Sequence, residues 1–253
     1  MRILLTNDDG IHAEGLAALE RIARQFSDEV WIVAPQSDQS GVAHSLSLHD
    51  PLRVTVHDDK RFSVRGTPTD CVIMAIDKLM PEKPDLVLSG INSGQNIAED
   101  ITYSGTVAGA IEGTLLGVRS IALSQAYSFQ PGSRADYGIS ERCAPAIIRK
   151  LIDFDMPNGT YFNVNFPDAP REGPVPIMVT RQGKKNWDAM YIDERQDGRG
   201  TPYYWLAFRG SDLIQDDNTD LRAIKDGYVS VTPLKLDMTD QNTLEKLSVS
   251  LND

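Results

Sequence analysis

The chain has 253 residues, 41% of them hydrophobic and 24% charged, which is enough to bury a substantial core in one α/β domain. Its 36 acids against 25 bases leave a net charge of −11, which argues against a stable nucleic-acid partner gripped through Lys and Arg. A small phosphate ester remains an admissible ligand, provided that something cationic offsets the acids.

The start "MRILLTNDDG" carries an apolar run too short for a signal peptide, and no stretch reaches the ~18 apolar residues of a membrane span. Cys71 and Cys143 stand far apart, in no metal-ligand spacing, and read as reduced thiols. A cytoplasmic protein with no membrane partner is expected. In chain order, "RILLT" and "EVWIVAP" are short, nearly continuous apolar runs, as for strands buried on both faces of a parallel sheet. Leu16, Leu19, Ile22, Ala23 and Phe26 lie between them at helical spacing. "LRVTVHDDKRFSVRG" alternates around Asp58-Asp59 and predicts a hairpin. "TPTDCVIMAIDKLM" opens a helix, with Thr67 as cap, Pro68 in the first turn and Asp70 as the capping-box acid. "PDLVLSG" is another buried strand. "SGTVAGAIEGTLLG" is a second capped helix, with Val107, Ala110, Ile111 and Leu115 along one face. "SIALS" is a further strand, and residues 136 to 152 form a helix.

Strands alternating with helices predict a doubly wound, mostly parallel, Rossmann-like sheet. The expected organisation is a single domain over 1–253, with a core over about 1–166 and a C-terminal appendage over about 167–253. In that appendage "DERQDGRG" reads as a charged loop, and "TPYYWLAF" and "GYVSVTPL" as antiparallel strands of a hairpin used for oligomer contact.

Ligands of open α/β sheets bind beyond the carboxyl ends of the strands. Four polar stretches fall at that edge: "NDDG", "QSDQSG", "SGINSGQN" and "YSGT". Asp8, Asp9, Ser40 and Asn92 offer oxygen ligands without Cys or His, a set that suits Mg²⁺ or Mn²⁺ better than Zn²⁺. A divalent cation also turns the repulsion of adjacent carboxylates, ~4 kcal/mol at ~4 Å and an effective dielectric of 20, into coordination. Ser104, Gly105 and Thr106 open a helix, where free N–H groups and the dipole favour a phosphate. Together these features suggest metal-assisted hydrolysis of a phosphate ester. Taken singly, each has a plainer reading. Asp-Asp-Gly is a turn, Ser104 an N-cap, and Asn92 and Asn96 tolerate left-handed backbone. Only their convergence favours a site. Gly105, Gly109 and Gly113 are spaced for close helix packing and do not match the dinucleotide fingerprint. Surface or supporting roles are expected for His12, His44, His49 and His57, and a solvated loop for Lys184, Lys185 and Trp187.

On "ILLTNDDGI", "VAPQSDQSG", "RGTPTDCV", "PDLVLSGINSGQN", "YSGTVAGAIEG" and, far downstream, "GYVSVTPL", the sequence resembles the SurE (survival protein E) family of nucleotidases, with the stretches in the family's order. The resemblance implies a SurE-like α/β fold, one divalent metal ion (Mg or Mn) per subunit, and hydrolysis of nucleoside 5′- and 3′-monophosphates. Carried over, it puts metal ligands at Asp8, Asp9, Ser40 and Asn92, and the phosphate site at Asn96, Ser104, Gly105 and Thr106. Catalytic roles fall on Asp8, Asp9, Asn96 and Ser104. It also points to a homodimer or homotetramer. One departure is Glu14, where the family usually has Pro, and "QAYSFQPGSRADYG" aligns with none of its motifs. The competing readings are an aspartyl-phosphate phosphatase with Asp8 as nucleophile, which would want an acid where Gly10 stands, and a non-catalytic nucleotide-binding module.

Overall fold

The structure, a computed structural model, describes residues 1–128, 132–168, 173–185, 190–208 and 217–252. The chain alternates as the sequence predicts: β1 (Ile3–Thr6), α1 (Glu14–Ala23), β2 (Val30–Pro35), β3 (Val54–Asp58), β4 (Arg61–Val64), α2 (Pro68–Met74), β5 (Leu86–Ser93), α3 (Gly105–Leu115), β6 (Arg119–Gln125), α4 (Gly138–Asp153) and β7 (Thr160–Phe166). Then follow β8 (Ile177–Val179), β9 (Met190–Gln196), β10 (Pro202–Phe208), α5 (Asp220–Lys225), β11 (Val229–Lys235) and α6 (Gln241–Asn252).

Among the described residues, nine strands form one sheet in the order β3-β4-β2-β1-β5-β6-β7-β11-β8. From β4 through β7 all neighbours are parallel, with β3 and β11 added antiparallel. Strands buried on both faces need apolar residues at successive positions. Ile3 and Leu5 pack with Leu16, Leu19 and Ile22 of α1 and Ile147 and Ile148 of α4. Leu4, between them, joins Val33, Val87 and the α2 residues Cys71 and Val72 on the other face. Helix α2 starts on the expected capping box, with Thr67 and Asp70 bonded reciprocally.

Helix α3 is buried nearly all round rather than along one stripe, and Leu115 faces solvent. Its glycines explain how close it lies to the sheet. A Cβ on Gly109 would sit 2.6 Å from Ser89 Oγ, and one on Gly113 would sit 2.5 Å from Ser120 Oγ.

The C-terminal stretch departs from expectation twice. "GYVSVTPL" is not part of the hairpin. It holds β11, which pairs with β7 and buries Val229 and Val231 in the main core. "DERQ" is not loop but the second half of β9, paired in register with β10, Tyr203 opposite Arg195 and Trp205 opposite Asp193. An exposed strand has no core to demand alternation, so its charges read as loop. The turn shrinks to 197–201, closed by Asp197 accepting from the amides of Arg199 and Thr201. The β9–β10 hairpin forms a sheet of its own, and α6 has no buried residue.

Candidate functional site

After β1 the chain runs to β2 and β4 on one side and then returns to β5 on the other. The reversal leaves a crevice at the carboxyl ends of β1 and β5, where doubly wound sheets bind ligands. Asp8 and Asp9 lie in the turn directly after β1, closed by the Asn7 side-chain amide donating to the Gly10 carbonyl at 3.0 Å. The turn, unlike a strand, does not force the two carboxylates onto opposite faces.

Three further loops are tied to this pair. The Gln39 amide donates to the Asp8 carbonyl at 2.8 Å, bringing in residues 36–41. The Ser93 amide, at the end of β5, donates to Asp9 Oδ2 at 3.2 Å. The Thr106 hydroxyl, in the first turn of α3, donates to Asp8 Oδ1. Gly105 makes this approach possible, since a Cβ there would lie 2.7 Å from the Asp8 Cβ.

Asp8 is only 4% exposed. Burial, reinforced by the charges of Asp9 and Asp38 against the opposing Thr106 bond, pushes its carboxyl up to about 7. Asp9 is raised too, first by burial and then by Asp38, against the Ser93 amide. Among the described residues no Lys or Arg forms an ion pair with either acid. Nor do three His, Cys, Asp or Glu gather there as a metal cluster. A cation would therefore rest on two carboxylates plus neutral oxygens, and the donors present fit a hard one. The Ser40 hydroxyl spends its proton on Asp38 Oδ1 at 2.6 Å, leaving oxygen lone pairs. Asn92 spends its amide nitrogen on the Gly94 carbonyl at 2.8 Å, leaving its amide oxygen.

The other expected residues divide. Ser104 caps α3, accepting from the Val107 amide at 3.0 Å, and its own proton remains available. The Thr106 proton is engaged by Asp8. Asn96 is held from the β6–β7 side: its amide donates to Asn165 Oδ1 (2.8 Å), its side chain donates to Ser124 Oγ (2.9 Å), and its carbonyl accepts from Asn163 (2.8 Å) and Asn165 (3.1 Å). No hydrogen bond links it to either acid among the described residues. His44 pairs with Glu112 of α3 at 2.8 Å and His57 with Ser63 at 2.9 Å, while His12 stacks edge-on against His57. Lys185 is bound to Asp100 and, through its amide, to Glu99, whereas Lys184 is exposed. Trp187 lies outside the described residues.

Sequence reasoning misses two features. Asp38 is a third acid whose charge reaches both carboxylates, inside a stretch singled out only for Ser40. A cavity of about 300 Å³ opens beside Asp9 and Ser93, walled by Tyr127, Arg134 and Tyr137 from the segment without motif. Nothing in their spacing announces it.

A crevice at the switch point of a doubly wound sheet, with paired acids under a helix start, defines a ligand-binding α/β protein. Residues 3–189 match the model of the family described as Survival protein SurE, and the chain belongs to that family. The protein called 5′-nucleotidase SurE from Mesorhizobium japonicum is 57% identical, covering 99% of this chain and 100% of its own. Its namesake from Rhizobium meliloti is also 57% identical, covering 100% and 98%. The SurE protein from Aquifex aeolicus, known from a crystal structure, is 39% identical over the full length of both chains, with a TM-score of 0.84.

Proposed function

We infer that this protein is a 5′-nucleotidase, a divalent-metal-dependent phosphatase that hydrolyses nucleoside 5′-monophosphates, and 3′-monophosphates, to nucleoside and phosphate. The observation that carries this reading is the Asp8–Thr106 contact, which sets a buried carboxylate, unpaired with Lys or Arg among the described residues, against the amide-rich start of α3. The relatives named 5′-nucleotidase SurE support the substrate class.

In this reading Asp8, Asp9, Ser40 and Asn92 hold one Mg²⁺ or Mn²⁺ ion per subunit. When bound, the ion supplies positive charge to the phosphate oxygens and lowers the pKa of water. The first-turn amides of α3, at Gly105 and Thr106, bind the phosphate, and the Ser104 hydroxyl donates to one of its oxygens. Asn96, fixed by Asn163 and Asn165, presents its side chain to the same group. A carboxylate oxygen not engaged elsewhere, Asp8 Oδ2 or Asp9 Oδ1, accepts the proton of the attacking water. Neither acid is then left as a nucleophile, and Gly10 stands where an aspartyl-phosphate enzyme would carry its proton donor.

The exposed apolar hairpin supports a homodimer or homotetramer, and the free cysteines support a cytoplasmic setting. Among the described residues no helix is long and apolar enough to cross a membrane.

The test is a panel of nucleoside monophosphates with and without chelator, followed by a chiral, isotopically labelled thiophosphate substrate. Chelation is expected to abolish turnover, Mg²⁺ or Mn²⁺ to restore it, and phosphorus to invert. Full activity of the stripped protein would remove the metal from the reading, and net retention would favour a covalent aspartyl intermediate.

A further inference from the structure

Asp220, in the first turn of α5, is a wholly buried acid with no part in holding the cation or the phosphate. Three backbone amides donate to it. Those of Gly183 and Leu221 reach Oδ1, both at 2.8 Å. That of Ala98, 122 residues earlier in the chain, reaches Oδ2 at 2.9 Å. Gly183 permits the approach, since a Cβ there would lie 2.7 Å from Asp220 Oδ1. Burial raises the carboxyl, and the three amides and the charge of Lys185 oppose that rise.

The residue held from the far side has a costly conformation. Ala98 has a φ of +52°, in the left-handed region that residues other than glycine rarely enter. Such a backbone persists where its surroundings over-determine it. Here both of its polar groups are taken, the N–H by Asp220 and the C=O by the Gln182 side chain, which donates at 2.9 Å. Ile97 and Ala98 pack with Leu221, and Lys185 binds Glu99 and Asp100 just beyond. A 3₁₀ turn (Ala98–Thr102) then leads to Ser104, the cap of α3. Asn96, on the other side of Ala98, is already fixed by β6 and β7. The chain from Asn96 to Ser104 therefore takes its direction at Ala98.

We propose that Asp220 is a positioning residue for the phosphate site: its carboxylate keeps Ala98 left-handed and so sets Ser104 and the first-turn amides of α3 relative to Asn96. The proposal rests on the reading of Asn96, Ser104, Gly105 and Thr106 as that site. It makes residues 181–185 and α5 part of the phosphate-binding apparatus without assigning either a contact with the ligand.

The experiment measures inhibition of nucleotide hydrolysis by inorganic phosphate and, separately, Mn²⁺ binding by electron paramagnetic resonance. Wild type is compared with Ser104→Ala, Asp220→Asn, Gln182→Leu and the double variant Asp220→Asn with Ala98→Gly. An amide at position 220 can accept both bonds made to Oδ1, but it turns an NH₂ group on the Ala98 N–H. The tie to Ala98 is cut while the hold on Gly183 and Leu221 is kept. Phosphate inhibition should weaken about tenfold in Asp220→Asn, as loss of a hydrogen bond to a charged group predicts, and about threefold in Gln182→Leu, which loses a neutral one. Ala98→Gly should bring Asp220→Asn back to within about threefold of wild type, because glycine takes the left-handed conformation without steric cost. Mn²⁺ affinity should not change, since Asp8, Asp9 and Asn92 lie outside these bonds and Ser40 is held by Asp38. A loss that Ala98→Gly does not recover, or a parallel fall in Mn²⁺ affinity, would make Asp220 a general support of the fold and overturn the proposal. If Asp220→Asn does not fold, Gln182→Leu decides, and unchanged phosphate inhibition there overturns it. Unchanged inhibition in Asp220→Asn beside a loss in Ser104→Ala would overturn it and leave the phosphate site in place. No loss in Ser104→Ala would remove the phosphate site itself, and the proposal with it.

Discussion

The crevice at β1 and β5 and the β9–β10 hairpin are opposite failures of self-sufficiency. The crevice buries the Asp8 carboxylate and half-buries that of Asp9, with no Lys or Arg ion-paired to either among the described residues. The hairpin leaves apolar side chains in water, with Trp205 58% and Leu206 68% exposed. A folded chain rarely tolerates buried like charge or extensive exposed apolar surface unless something outside the chain completes it. The sign of each deficit names its complement. In the reading proposed above, the unmatched negative charge is answered by a metal ion and the uncovered apolar surface by a second copy of the chain, since an exposed hairpin is readily shared between protomers. The hairpin is apolar on both sides: Tyr203 meets Trp205 at 6.5 Å on one face, and Tyr204 and Leu206 stand on the other.

The sharpest way to break the comparison is to remove the charge that the cation answers. Asp8→Asn should lower kcat/KM at least ~10²-fold, by loss of a ligand charge and of a proton acceptor. The readout is steady-state kinetics at saturating Mn²⁺, and activity within threefold of wild type would show that the buried carboxylate has no part in the reaction.

The hairpin half is tested by giving it charge. Replacing Trp205 and Leu206 together by Asp should weaken self-association about 30-fold, corresponding to the ~2 kcal/mol of an aromatic anchor. Sedimentation at micromolar concentration should show the mass fall. A wild type that is already monomeric would leave the apolar face without the complement inferred for it.

The smallest expected effect is the dependence of stability on pH. Burial raises Asp8 from 3.8 to about 7, so the folded protein holds that proton more tightly than the unfolded chain does. The stabilisation is complete below about pH 4 and is lost as pH rises through about 7. Metal-stripped protein should therefore melt several degrees lower at pH 8 than at pH 5. Mn²⁺ should recover more of the loss at pH 8 than at pH 5, and Asp8→Asn should flatten the slope. An equal slope in that variant would place the titration elsewhere.

What is legible in the sequence follows from how local each cause is. The parallel strands show themselves because burial on both faces demands apolar runs such as "RILLT". The start of α2 shows itself because a capping box is complete within four residues, Thr67 to Asp70. The site acids are legible because a turn, a strand end and a helix start each leave a short polar signature. Strand β9 is hidden because an exposed strand has no pattern to keep. Tyr127 and Tyr137 are hidden because only tertiary folding sets them around a common space. The pairing of β11 with β7 is equally non-local, since more than sixty residues separate the two strands.

The glycine row of α3 has a consequence for how this enzyme changes over generations. Gly109 lies one turn behind Gly105 and touches neither acid, yet it decides how low the whole helix rides over Ser89. A methyl group there would lift α3 and, with it, the Thr106 hydroxyl and the first-turn amides above Asp8. Drift at this position would detune the reaction from beneath the sheet contact, leaving every residue that faces the crevice unaltered. The chemistry is thus inherited partly through a hydrogen atom in place of a side chain, at a position that a map of the crevice does not include.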